Sequence, residues 1–146
     1  MNIVRMNEAW VPAVASLEQF CFSEPWSEEA LVEVCAKPEF CYLVATEDGN
    51  LLGYGGMYVA ADEASITNIA VEPLARGRGV ATAIIEALLL EARRRGAETA
   101  FLEVRAGNEK AIRVYERCGF ACVGVRKNFY SKPTEDALIY VYDLTE

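Results

Sequence analysis

A glycine-rich turn, a carboxylate inside an apolar run and a tyrosine on a following helix have the residue types that could do chemistry in this sequence. The turn is Arg76-Gly77-Arg78-Gly79-Val80-Ala81. It follows Asn68-Ile69-Ala70-Val71 and opens a long helical pattern. Backbone N–H groups at a helix N-terminus have no partner within the helix, and the helix dipole favours negative charge there. Glycines let a phosphate approach the backbone, and Arg76 and Arg78 add charge, so the turn reads as a pyrophosphate site. A tight turn with solvated arginines is the competing reading. A dinucleotide fold would place GxGxxG after the first strand. Here the glycines are Gly77 and Gly79, with Thr82 in the third place, in mid-chain. No Gly-Lys-Ser/Thr occurs, so a Walker-type loop is excluded.

The carboxylate is Glu103, within Phe101-Leu102-Glu103-Val104. Desolvation favours the neutral form of a carboxyl group, which suits a general base near neutral pH. The alternative is a strand-end carboxylate paired with Arg105 or another cation. The tyrosine is Tyr115. It stands seven residues after Asn108, so both lie on one helix face. Tyr115 could sit beside Glu103 at the open end of a sheet, or it could be a core tyrosine with its hydroxyl at the surface.

Composition removes several other chemistries. The chain has no histidine, so Ser-His-Asp and Cys-His catalysis are excluded. Its cysteines are Cys21, Cys35, Cys41, Cys118 and Cys122, with no CxxC pair. An odd number without metal-ligand spacing argues against a zinc site and a disulfide framework, and for reduced thiols in a cytoplasmic protein. The net charge of −8 argues against nucleic acid as the partner. It is compatible with cationic substrates such as amines or basic peptides, although an acidic surface that maintains solubility is the simpler reading. No signal peptide is evident at the N-terminus. The longest apolar stretch, Val80 to Leu90, contains Glu86 and is shorter than the roughly 20 residues a membrane helix needs, so no membrane span is expected.

The elements that would position these groups follow from the patterning. Strands are expected over Asn2–Met6, Phe40–Thr46, Leu51–Val59, Ser65–Val71, Thr99–Val104, Phe120–Arg126 and Ala137–Leu144. Asp48-Gly49 is a hairpin signal, and Pro73 stops the fourth strand. Asn7 can cap a helix from Glu8 to about Phe20, in which Pro12 would kink or delay the first turn. Ser27 can cap a second helix, ended by Lys37-Pro38. Val80, Ile84, Leu88 and Ala92 give helical spacing up to Arg93-Arg94-Arg95, with Gly96 past the end. Thr99–Val104 is nearly continuous in apolar residues, as for a strand covered on both faces. Asn108 caps a last helix that ends at Cys118-Gly119. The order is mixed α/β with a central strand–helix–strand unit. The length suits one domain over residues 1–146.

These segments together resemble the GNAT acetyltransferases. That family's cofactor motif, Arg/Gln-x-x-Gly-x-Gly/Ala, is matched by Arg76, Gly79 and Ala81. The later pattern Asn-x-x-Ala-x-x-x-Tyr-x-x-x-Gly-Phe is matched by Asn108, Ala111, Tyr115, Gly119 and Phe120. Pro25-Trp26-Ser27, LEVRAGN, and Asn128-Phe129-Tyr130 before Glu135-Asp136-Ala137 are similar to the branch that acetylates the terminal alanine of ribosomal proteins. Phe129 stands where relatives often have a second tyrosine. The resemblance implies a twisted mixed sheet of about six to seven strands with helices on both faces; a monomer or weak dimer is expected. It implies acetyl-CoA as co-substrate and no metal. Ile69, Ala70 and Val71 would meet the thioester and pantetheine arm, with Ile69 and Val71 using their amides. Arg76, Gly77, Arg78, Gly79, Val80, Ala81 and Thr82 would hold the pyrophosphate, and Asn108 the arm. Glu103 would act as base and Tyr115 as acid. Trp26 and Tyr130 would border the acceptor, a protein N-terminus. A lysine side chain or small amine as acceptor is the rival, and a non-catalytic CoA-binding module would need neither Glu103 nor Tyr115.

Overall fold

The computed structural model describes residues 1–145. Period-2 patterning and turn residues divide the chain into seven strands, β1 (Asn2–Arg5), β2 (Phe40–Glu47), β3 (Asn50–Ala60), β4 (Glu63–Val71), β5 (Thr99–Arg105), β6 (Ala121–Tyr130) and β7 (Glu135–Asp143). They form one mixed sheet in the order β1-β2-β3-β4-β5-β7-β6. All neighbours are antiparallel except β4 and β5. The expected sheet of six to seven strands is therefore present with seven, and it has helices on both faces.

The α-helices are α1 (Val11–Cys21), α2 (Glu28–Ala36), α3 (Val80–Arg94) and α4 (Glu109–Arg117). Residues Glu8–Trp10 form a 3-10 turn capped by the Asn7 side chain, and α1 begins only at Val11. Pro12 thus delays the helix without kinking it. It sits in the first turn, where its missing N–H has no intrahelical partner to lose. Helices α1 and α2 cover one face, packing Leu17, Leu31 and Val34 with Tyr42, Val44 and Tyr54 of the sheet. Helix α3 covers the other, packing Ile84, Leu88 and Ala92 with Leu43, Met57, Ala100 and Leu102. Gly55 and Gly56 permit close approach. A Cβ at Gly55 would collide with Ile84 of α3, and one at Gly56 with the Tyr42 ring. No helix among the described residues is long and apolar enough to cross a membrane.

Two features of the sheet differ from the patterning and both bear on function. Strand β5 is not covered on both faces: Ala100, Leu102 and Val104 are buried against the α3 side, while Phe101, Glu103 and Arg105 are half-buried on the other face. And β6 does not end at Arg126. After a register shift it continues to Tyr130, while β7 begins at Glu135. That extension brings Phe129 and Tyr130 beside Glu103 and Arg105.

Candidate active site

The parallel ladder between β4 and β5 is short. It pairs Glu63, Ala64 and Ser65 with Thr99, Ala100 and Phe101, and the strands then separate. A register shift in the β3–β4 ladder pairs Gly56 with Asn68 but Met57 with Ile66, leaving Thr67 as an extra residue. A bulge bends its strand and increases local twist, so β4 turns away from β5 at this point. The gap becomes two adjoining clefts of about 640 and 520 Å³.

Helix α3 begins at the first cleft. Gly77 and Gly79 have φ of 79° and 78°, a region in which a side chain is strained, and a Cβ at either would meet only open space. These glycines therefore serve the backbone path, not packing. The first-turn amides of Val80, Ala81 and Thr82 lack intrahelical acceptors, and these residues line the cleft with Gly77 and Gly79. Just past the end of β4 the Glu72 N–H donates to Leu52 O of β3 at 2.8 Å. Edge direction alternates along a strand, so Ala70 also faces β3, while Ile69 and Val71 turn their peptide groups toward the gap. Arg76 Nε donates to Val71 O at 3.2 Å, consistent with this direction.

Arg78 departs from the expectation. Its guanidinium donates to both Glu47 carboxylate oxygens at 2.9 and 3.0 Å, and Arg78 does not line the cleft. Glu47 also meets the N-terminal ammonium, and the hydrogen bond from Arg78 holds its carboxyl below the ordinary value. Lys110, Arg113 and Arg117, on one stripe of α4 and not singled out from the sequence, line the cleft instead, opposite the glycine-rich turn. With Arg76 they make an all-cationic set. Among the described residues no Asp or Glu lines this cleft, in a chain of net charge −8.

Asn108 and Tyr115 line both clefts. The Asn108 side-chain Oδ1 accepts from Ala111 N at 3.2 Å and caps α4. Tyr115 is buried, with its ring against Phe120. Burial pushes its hydroxyl pKa well above the ordinary tyrosine value.

The second cleft has the opposite character. Glu18, Glu24 and Glu103 line it, together with Trp26, Tyr115, Tyr130 and one cation, Arg105. Glu103 Oε2 lies 3.2 Å from Arg126 Nε, so the cation beside it is Arg126 and not Arg105. That approach is poorly directed. Among the described residues the buried Oε2 accepts no hydrogen bond, while the Glu103 side chain as a whole keeps 22% of its surface exposed and lines the cleft. Arg105 instead pairs with Glu135 at 3.2 Å, donates to Pro133 O and Ser131 O, and lies 4.5 Å from the Tyr130 ring centre. It braces the β6–β7 turn, which carries Tyr130 to the wall. Burial raises the Tyr130 hydroxyl pKa, the Glu103 charge adds to this, and Arg105 opposes it. Trp26 lines the same cleft from the α1–α2 loop, its ring 5.9 Å from that of Tyr42.

Comparison with known proteins identifies the family. Residues 11–120 match the acetyltransferase (GNAT) family model. The Escherichia coli ribosomal protein bS18-alanine N-acetyltransferase is 36% identical over 144 residues, 95% of this chain and 95% of that protein. The Salmonella typhimurium enzyme of the same name is 36% identical over 131 residues, 88% of each chain. The crystal structure of the ribosomal-protein-S18-alanine N-acetyltransferase from Escherichia coli superposes with a TM-score of 0.88 at 32% identity, covering 98% of this chain and 93% of that one. A match over most of the chain, in sequence and in fold, makes this protein a member of the GNAT family and an N-acetyltransferase.

Proposed function

We propose that this enzyme transfers the acetyl group of acetyl-CoA to the N-terminal amine of a ribosomal protein, the bS18 type named for its relatives. The observation that carries the reading is the division of charge between two clefts that meet at Tyr115 and Asn108. A cleft lined by cations and helix amides suits a polyanionic carrier, and a cleft lined by carboxylates suits an ammonium.

In this reading the backbone from Arg76 to Thr82 holds the pyrophosphate, with the Lys110, Arg113 and Arg117 stripe facing the remaining phosphate charge. Arg78 braces the turn from behind. The Ile69 and Val71 amides meet the thioester end, and the Val71 amide can stabilise the oxyanion. Trp26 and Tyr130 flank the acceptor. Glu103, which lines the cleft, takes the proton of the attacking amine directly or through a water. The C–N bond forms, the C–S bond breaks, and the departing sulfur meets the Tyr115 hydroxyl. Burial keeps Tyr115 protonated at every working pH. That makes it a dependable hydrogen-bond donor and a weaker acid than a thiol, which has pKa near 8.5. Its contribution is therefore chiefly charge-assisted hydrogen bonding to the thiolate as it forms.

The direct test offers peptides with a free or blocked terminal amine and locates the product by mass spectrometry. Acetyl on the free α-amine is expected, and modification confined to lysine side chains would overturn the acceptor assignment. Saturating acetyl-CoA, at about 100 times its Kd, should raise the Tm by roughly 5–10 °C. NAD and ATP should not match it, and no shift with acetyl-CoA would refute its assignment to the first cleft. Lys110→Ala with Arg113→Ala should weaken acetyl-CoA binding about 10-fold at low salt and less at high salt. Acceptor KM should stay unchanged. Unaltered binding in titration calorimetry would remove the α4 stripe from the phosphate site.

A further inference from the structure

Glu18 of α1 is not one of the reacting groups, and nothing in its sequence context singles it out. Yet its side chain is fully buried, with 0% exposure. Oε1 accepts the Trp26 N–H at 2.8 Å. Oε2 accepts from the Tyr54 hydroxyl and from Asn68 Nδ2, the latter at 2.9 Å. All three donors are neutral, and no cation pairs with it among the described residues. Burial raises its pKa, and the hydrogen bonds from Trp26 and Asn68 pull the other way. A buried carboxylate without a counter-ion is an expensive way to fill space, since an apolar side chain of similar size would avoid the desolvation. Its position accounts for it better than packing does.

The two oxygens reach two different parts of the second cleft. One reaches the α1–α2 loop at the residue that carries the Trp26 ring to the wall. The other reaches β4 beside the extra residue Thr67. Adjacent residues of a regular strand point to opposite faces. Here Thr67 hydrogen-bonds the Tyr42 hydroxyl at 2.9 Å and Asn68 bonds Glu18. Tyr42 and Tyr54 belong to the core under α1 and α2, so both Thr67 and Asn68 turn toward that face. Such a pair of side chains on one face exists only because of the bulge.

We propose that Glu18 is a positioning residue that fastens the Trp26 loop to the β4 bulge and so sets the acceptor wall. The inference rests on the reading of the second cleft as the acceptor site. What matters is reach between two donors, not charge as such.

Glu18→Asp and Glu18→Gln separate these. Glu18→Asp keeps the charge but is one methylene too short to hold both ends. It should raise acceptor KM about 10-fold or more, leave acetyl-CoA affinity unchanged, and speed hydrogen exchange at the Trp26 amide. Glu18→Gln keeps the reach, and its amide can pair with Asn68 after a flip of the Asn68 side chain. It should retain the parental KM and slow Trp26 exchange. Wild-type KM and exchange in Glu18→Asp would overturn the proposal, as would a Glu18→Gln variant as impaired as Glu18→Asp. If the wild-type enzyme acetylates no N-terminal peptide, the acceptor assignment fails, and exchange at Trp26 alone then decides whether Glu18 holds the loop.

Discussion

Tyr115→Phe is expected to lower kcat by about 10–150-fold while leaving the Kd for acetyl-CoA nearly unchanged. In the proposed mechanism the hydroxyl acts when the carbon–sulfur bond breaks, and the ring keeps its packing against Phe120 in either form. A hydrogen bond to a charged group contributes roughly 1.5–3 kcal/mol, which by itself is about 10–150-fold in rate. The sign of the pH effect follows from burial. The folded-state pKa of Tyr115 is raised, so its proton stays on as pH rises. The wild-type rate should therefore show no basic limb from this group up to the ordinary tyrosine value of about 10. Loss of substrate binding with kcat intact would return Tyr115 to the role of a core tyrosine.

Glu103→Gln should abolish most turnover near neutral pH and recover part of it as pH rises. The substitution keeps the side-chain shape but cannot accept the proton, and the first cleft, the proposed acetyl-CoA site, does not include this residue. Binding of acetyl-CoA should survive. At higher pH solvent deprotonates the acceptor without help, so recovery should begin near the acceptor's own pKa. That is about 7.7–8.0 for an α-amine and about 10.4 for lysine. A pH–rate profile of the variant thus tests base and acceptor together. Full activity at pH 7 would eliminate the base assignment. Recovery only near the lysine value would favour side-chain acetylation.

Parts of the site were legible because they depend on local rules. Gly77 and Gly79 announce a backbone path that other residues strain to follow, and Asn108 announces a helix cap. The spacing from Asn108 to Tyr115 places both on one helical face whatever the helix packs against. Arg78, by contrast, looks like Arg76 in sequence. Its partner Glu47 lies at the end of β2, and only the folded chain brings them together. The α4 cations likewise read as ordinary solvated side chains until α4 is placed across from the glycine-rich turn.

The sequence by itself determined the order and type of the elements, the starts of α2, α3 and α4, and the family motifs. These rest on periodicity, capping and turn chemistry within a few residues. Tertiary structure alone decided that β4 and β5 part after three paired residues, and that β5 is covered on one face only. It decided too that β6 runs on to Tyr130, and that Glu18, Tyr54, Asn68 and Trp26 share one hydrogen-bond cluster. The reason is physical. Bulges, strand divergence and the partner of a buried charge depend on pairings between distant segments, and no local pattern encodes where such a partner will stand.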